Sequence, residues 1–220
     1  VRSDPLERLV GFSFGHLAVD VFFVISGFLV TSSLIVRRSL PSFAIARALR
    51  LFPVLVAAAF ACAFVLGPIQ TELPLARYLL DRGTWTFALQ NSLTWPMGVQ
   101  YTLPGVFLHV PLAGAVNGSL WSLPWELSMY MVLVVLGALA FTRRGVLGER
   151  GLRPAVLLIA AVATAGFTIY EGFGFPYEFH VSQGFRLTSL FFGGASLFVL
   201  ADRVPHSGRL ALLALVALVA

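Results

Sequence analysis

Long apolar runs separated by short arginine-rich breaks dominate the chain. Residues 17–36 carry one formal charge, Asp20, and the run is closed by Arg37 and Arg38. About 20 apolar residues suffice for a helix to cross a hydrocarbon core of about 30 Å, so this run predicts a transmembrane helix. A second segment, 43–67, has Arg47 and Arg50 in its first turns and no charge from 51 to 71. Pro53 lies inside it and predicts a kink or a broken turn, because proline lacks the N–H and its ring crowds the preceding turn. Further spans are expected at 123–142, closed by Arg143 and Arg144, at 154–170 and at 187–201. A last apolar run follows Arg209 and is about half a span long.

The stretch 83–125 breaks the pattern. It has no formal charge, yet Pro96, Pro104, Pro111 and Pro124 and several glycines interrupt it. Trp85, Trp95, Tyr101, Trp121 and Trp125 give it the character of a membrane interface. The piece 85–96 is short for a span and reads as a short, tilted or re-entrant helix, which must be buried against protein.

Arginine placement sets the expected orientation, since basic residues favour the cytoplasmic side. Arg37, Arg38, Arg47 and Arg50 mark one cytoplasmic loop, Arg143, Arg144, Arg150 and Arg153 a second, and Arg203 and Arg209 a third. The three agree only if an even number of crossings lies between 67 and 123.

Composition narrows the classes. Of 220 residues, 58% are hydrophobic and 11% charged, and the mean hydropathy is +0.89. A soluble domain carries about 25% charged residues, because its surface needs them. This excludes a soluble enzyme, a disordered chain and a nucleic-acid binder. The net charge of +5 comes from 15 basic residues, all arginine, and membrane topology accounts for it better than nucleic acid does. Cys62 is the single cysteine, so neither a disulfide framework nor a cysteine metal site is available. His109, His180 and His206 lack metal-ligand spacing, and no metal site is expected. Glu171, Glu178 and His180 fall in what reads as a Gly/Phe-rich loop. No internal repeat is visible. The chain starts at Val1 and stops at Ala220 within an apolar run, and it reads as part of a longer membrane protein.

Three groups of residues carry candidate chemistry. Asp20 lies a few residues inside the first span, where a carboxylate should face a cavity or a partner; the alternative is an interfacial acid in the first helical turn. Ser26 and Gly27 follow it at mid-span, as close helix packing also requires, and His16 precedes the span as an interfacial residue. Arg47 and Arg50 are three apart and share a helix face, from which two guanidiniums can grip phosphate oxygens; the alternative is a topogenic role. Ser119, Ser122, Glu126 and Tyr130 lead into and along the next span, and Glu126 is the only formal charge between Arg82 and Arg143. A lone carboxylate there is a functional candidate, although Pro124 in the first turn also permits a dipole-complementing acid. The Asn117-Gly118-Ser119 sequon is too short a match to weigh.

These residues resemble a known family, the integral-membrane acyltransferase 3 family. The run from Leu17 through Asp20, Ser26 and Gly27 to Leu29 resembles its GVDxFFVISGFL segment. Phe43 with Arg47, Arg50 and Pro53 resembles its F…RxxRxxP segment, and Asn117 through Ser119, Trp121 and Glu126 to Tyr130 resembles its NGSLWSLPxE…Y segment. The three motifs occur in order and cover about 15–130. The resemblance implies an all-α polytopic transmembrane helical bundle. It implies a single acyltransferase 3 membrane domain over 1–220, truncated at both ends, with the first helix and the last helices missing. The implied activity is transfer of an acyl group, often acetyl, from acyl-CoA (acetyl-CoA) to a hydroxyl of a polysaccharide, lipid-linked or similar cell-envelope acceptor. The partners would be the lipid bilayer, acyl-CoA as co-substrate and the acceptor, in a bacterial inner membrane. Arg47 and Arg50 would contribute to the acyl-CoA site. Glu126 and Asp20 would be the catalytic carboxylates here, with Ser26, Gly27, Asn117, Ser119, Trp121 and Tyr130 as supporting motif positions. The family's catalytic histidine lies on its first helix, which His16 does not match, so these residues alone are expected to be inactive. The competing readings are a multi-pass transporter or exporter, for which polar intramembrane residues and a broken central segment also serve, and a scaffold without chemistry.

Overall fold

The computed structural model describes residues 14–93, 98–109, 115–141, 148–173 and 178–203. Over these residues the protein is all-helical, with two isolated β-bridges, Thr71 to Val106 and Thr102 to Ala115. The helices are α1 (Phe14–Arg37), α2 (Leu40–Ala61), α3 (Leu75–Leu80), α4 (Arg82–Leu93), α5 (Leu123–Phe141), α6 (Gly148–Gly172) and α7 (Phe179–Val199). α2 continues through a π turn, Cys62–Leu66, into a last α turn, Gly67–Gln70. Among the described residues, four segments are long and apolar enough to cross a membrane: Phe14–Arg37, Leu40–Gln70, Gly118–Phe141 and Arg150–Gly172. The protein is an integral membrane protein. Trp95, Pro96, Pro111, Arg143, Arg144, His206, Arg209 and the final apolar run lie outside the described residues.

The described residues form two compact units, one of residues up to Leu40 and from Met131 onward, the other Pro41–Tyr130. In the first unit α7 packs against both α1 and α6. The α1–α7 crossing is close because glycine stands on each side. A Cβ at Gly27 would collide with the Phe191 carbonyl, and one at Gly194 with the Val24 carbonyl. Phe23, Val30 and Leu34 of α1 and Leu187, Phe191 and Phe192 of α7 are fully buried there. With lipid as apolar as leucine, such backbone approach is what holds membrane helices together.

In the second unit the π turn frees backbone groups, and tertiary structure supplies their partners. The Tyr78 hydroxyl donates to the Ala63 carbonyl at 2.7 Å, and Gly67 leaves the space that the Tyr78 hydroxyl occupies. Burial pushes the pKa of that hydroxyl above its ordinary value, so it stays a donor. Residues 98–109 return over α3 and α4. The fully buried Asn91 donates to the Gln100 carbonyl at 2.8 Å and accepts from the Gln100 N–H at 2.9 Å. Thr71 Oγ1 donates to the Pro104 carbonyl at 2.9 Å. Irregular backbone within a membrane protein needs such internal partners.

Three expectations from the sequence change here, and the short helix expected near 85–96 is present as α4. α2 runs unbroken through Pro53, since one proline removes only one N–H, and the irregular turn falls at Cys62–Leu66 instead. α4 has 12 residues, about 18 Å at 1.5 Å each, too short to cross. α7 begins at Phe179, eight residues before the expected 187, and takes in Gln183 and Arg186. Glu171 and His180 are helical, at the end of α6 and in the first turn of α7, with Glu178 between them at the start of α7. Ser182 Oγ donates to Glu171 Oε1 at 2.8 Å, which ties the two helix ends together.

Candidate active site

α5 and α2 bring the second unit's charged residues together. A 3₁₀ turn, Gly118–Ser122, feeds α5, whose first turn carries Glu126. Glu126 is 3% exposed and Tyr130 also 3%. Four residues apart on one helix face, they meet directly: the Tyr130 hydroxyl donates to Glu126 Oε1. Arg50 and Arg47 of α2 lie close enough to act electrostatically on both Glu126 and Tyr130. Their three-residue spacing on α2 puts them on the same side.

The two arginines differ in surroundings. Arg50 is exposed and Arg47 half-buried. The Arg47 guanidinium lies 5.8 Å from the centre of the Phe43 ring, within the range of a cation–π contact. Its Nε is buried and has no hydrogen-bond partner. A buried guanidinium donor without an acceptor is costly, and phosphate and carboxylate oxygens are the acceptors that a planar fork fits. The residues present therefore suit an oxyanion ligand such as a phosphate ester.

The other sequence candidates fall elsewhere. Asn117 and Ser119 bond each other, Ser119 Oγ donating to Asn117 Oδ1 at 2.6 Å, with Ser119 exposed. Asn117 also reaches the Cys62 thiol at the start of the π turn. Trp121 and Ser122 are half-buried in the 3₁₀ turn. His109, the histidine of this unit, pairs with Glu72 at 3.4 Å on an exposed surface. Among the described residues no group of His, Cys, Asp or Glu could hold a metal ion.

Asp20 belongs to the first unit and has a partner that the sequence reading missed. Arg186 of α7 donates through Nη1 to Asp20 Oδ2 at 2.8 Å, and the same nitrogen lies 2.7 Å from Oδ1 without hydrogen-bond geometry. Arg186 Nε and Nη2 both donate to Gln183 Oε1, at 3.0 and 2.8 Å. His16 is close enough to Asp20 for their charges to interact. Ser26 and Gly27, also on α1, are buried in the unit's core. The signal for Arg186 was its isolation between apolar neighbours, the mirror of Asp20 in its own span.

Comparison with known proteins finds a family and relatives for the chain. A family model described as an acyltransferase domain, of the acyltransferase 3 type, matches residues 2–220. The chain is 32% identical over 146 residues to an O-acetyl transferase of Shigella phage Sf6, a match covering 66% of this chain and 41% of that protein. It is 33% identical over 163 residues to protein 2 in the picA locus of Rhizobium radiobacter, covering 66% of this chain and 78% of that protein. It is 29% identical over 186 residues to nodulation protein 10 of Rhizobium leguminosarum bv. viciae, covering 81% of this chain and 47% of that protein. The chain thus spans less than half the length of two of these three relatives. No solved structure matches it.

Proposed function

The chain belongs to the acyltransferase 3 family, and from that premise we propose that its protein is a membrane O-acyltransferase that moves an acyl group, acetyl first among candidates, from acyl-CoA to an acceptor hydroxyl. The observation that carries the reading is the buried Glu126, held by Tyr130 and faced by Arg47 and Arg50. Transfer from a thioester to an alcohol breaks the donor's C–S bond and forms an ester C–O bond. The hydroxyl proton ends on the released CoA thiol. In this reading Arg47 and Arg50 hold donor phosphates, and the buried Nε of Arg47 gains the acceptor it lacks. Tyr130 fixes the direction of the Glu126 carboxylate, so that Glu126 presents a positioned negative charge to the reacting hydroxyl. Such preorganised charge is strongest where water is excluded.

The relative named as an O-acetyl transferase supports acetyl as the transferred group, and family membership favours this reading over a transporter. The acceptor is proposed by class, a hydroxyl of an envelope polysaccharide or a lipid-linked sugar, in a bacterial inner membrane. We place the Arg37–Arg50 and Arg150–Arg153 ends on the cytoplasmic side, where acyl-CoA is made. The short α4 supports this, because it leaves no odd crossing between α2 and α5.

Donor binding tests the arginine assignment. In the complete protein, Arg47→Ala and Arg50→Ala should each weaken acetyl-CoA binding by about tenfold or more, the cost of one charge-assisted phosphate contact of about 1.5–3 kcal/mol, at unchanged expression. Unaltered donor affinity in both variants would leave these arginines a purely topogenic role.

A further inference from the structure

A second group of arginines gathers at the other unit, around a cavity apart from Glu126, Arg47 and Arg50 in the chain and given no role in the proposed acyl transfer. The cavity has a volume of about 370 Å³ and is lined by Ile35, Arg38, Phe141, Arg150, Leu152 and Arg153. It lies where α1 and α5 end and α6 begins, a level at which the chain leaves the membrane. Its lining is half guanidinium and half apolar side chain, with no acid among the lining residues.

Three features set these arginines apart from charges that only orient a span. First, Arg150-Gly-Leu-Arg153 repeats the spacing of Arg47-Ala-Leu-Arg50, so its two guanidiniums also share a helix face. Second, Arg150 and Arg153 sit in the opening turns of α6. The positive end of the helix dipole disfavours cations there and favours an anion; in sequence Glu149 is the only acid in this turn. Third, Arg38 follows the last residue of α1 with φ at 51°, in the left-handed region that glycine normally fills. Its N–H still caps the Leu34 carbonyl at 3.1 Å. A topogenic arginine needs no convergence with others, no cavity and no uncommon backbone.

We propose that Arg38, Arg150 and Arg153 form a binding site for a phosphate ester whose apolar part rests on Ile35, Phe141 and Leu152. The volume falls in the range of small-molecule sites, about 300–1,000 Å³, and exceeds what a bare phosphate needs. Two sources share this chemistry: the head group of an anionic phospholipid and the nucleotide end of a phosphorylated cofactor such as CoA. Basic pockets between helices at a cytoplasmic membrane surface are a recurrent form of lipid head-group recognition, and the apolar half of the lining fits the glycerol and upper acyl chain. The lipid source stands whether or not the acyltransferase reading holds.

The test uses the complete protein in nanodiscs containing phosphatidylcholine with or without phosphatidylglycerol. Native mass spectrometry reads the retained lipid, and adenosine 3′,5′-bisphosphate is titrated in a separate arm. Wild type should retain phosphatidylglycerol at least tenfold over phosphatidylcholine. Arg150→Gln/Arg153→Gln should bring that ratio close to one. Arg37→Gln, which removes an exposed charge at the same end but outside the lining, should leave it unchanged. Arg38→Gln, on a different helix end, supplies an independent loss if the double variant folds poorly. If the nucleotide displaces phosphatidylglycerol from wild type and binds the double variant at least tenfold more weakly, the ligand is the nucleotide. If it displaces nothing, the ligand is the lipid. Retention and nucleotide binding within twofold of wild type in both the double variant and Arg38→Gln would overturn the site. Equal loss of lipid in Arg37→Gln would overturn it too, by showing only diffuse surface attraction.

Discussion

Neutralising Asp20 should destabilise the first unit through Arg186, and the structure sets the scale. Asp20 and Arg186 bridge α1 and α7 with side chains only 21% and 17% exposed. Asp20→Asn leaves the guanidinium with the Gln183 oxygen as its remaining acceptor in this network. Removing one partner of a fully buried pair costs about 3–5 kcal/mol. Partial exposure discounts that to about 2–3 kcal/mol here, since a charge that reaches water is screened. Arg186→Gln should cost a similar amount, because it strands the carboxylate. The double variant Asp20→Asn/Arg186→Gln removes both charges and should be about 2 kcal/mol more stable than the sum of the single effects requires. Reversible unfolding of the complete protein in mixed micelles, followed by tryptophan fluorescence, measures all four corners of this cycle. Additivity within about 0.5 kcal/mol would refute the argument, because it would mean that the two charges do not sense each other.

Two further outcomes follow from packing. Tyr78→Phe leaves the Ala63 carbonyl of the π turn without its donor and should cost about 1–3 kcal/mol, read as a lower melting temperature with expression retained. Gly27→Ala forces α1 away from the Phe191 backbone and should destabilise by about 1–3 kcal/mol, whereas Gly193→Ala, which meets nothing within 4 Å, should change melting little.

Hydropathy was enough to read α1, α2, α5 and α6, because a membrane span is mostly a count of apolar residues. It misplaced the start of α7, since Gln183 and Arg186 lower the local hydropathy. Their cost is met by Asp20, 166 positions from Arg186 in the chain, and no window along the sequence carries that pairing. The π turn was equally hidden: the Ala63 carbonyl takes its donor from Tyr78, 15 positions along the chain. Pro53 does not break α2, because helical context on both sides outweighs one missing N–H. Glu126 and Tyr130 were legible, as an isolated acid with a tyrosine one helical turn on. The Arg pair was legible by spacing, but its approach to Glu126 depends on how α2 meets α5. In the sequence Arg38, Arg150 and Arg153 are topogenic charges only, because convergence in space leaves no mark in a linear charge count.

The central claim is that Glu126 serves acyl transfer, and Glu126→Gln tests it most directly by keeping the shape of the side chain while removing its charge. Membranes carrying the complete protein, given acetyl-CoA and a hydroxyl acceptor, can be followed by release of the CoA thiol and by acetyl ester formed. Glu126→Gln should lower turnover by about 10²-fold or more, the scale of losing a preorganised group in a buried site, while acetyl-CoA binding stays near wild type. Full turnover in Glu126→Gln would contradict it.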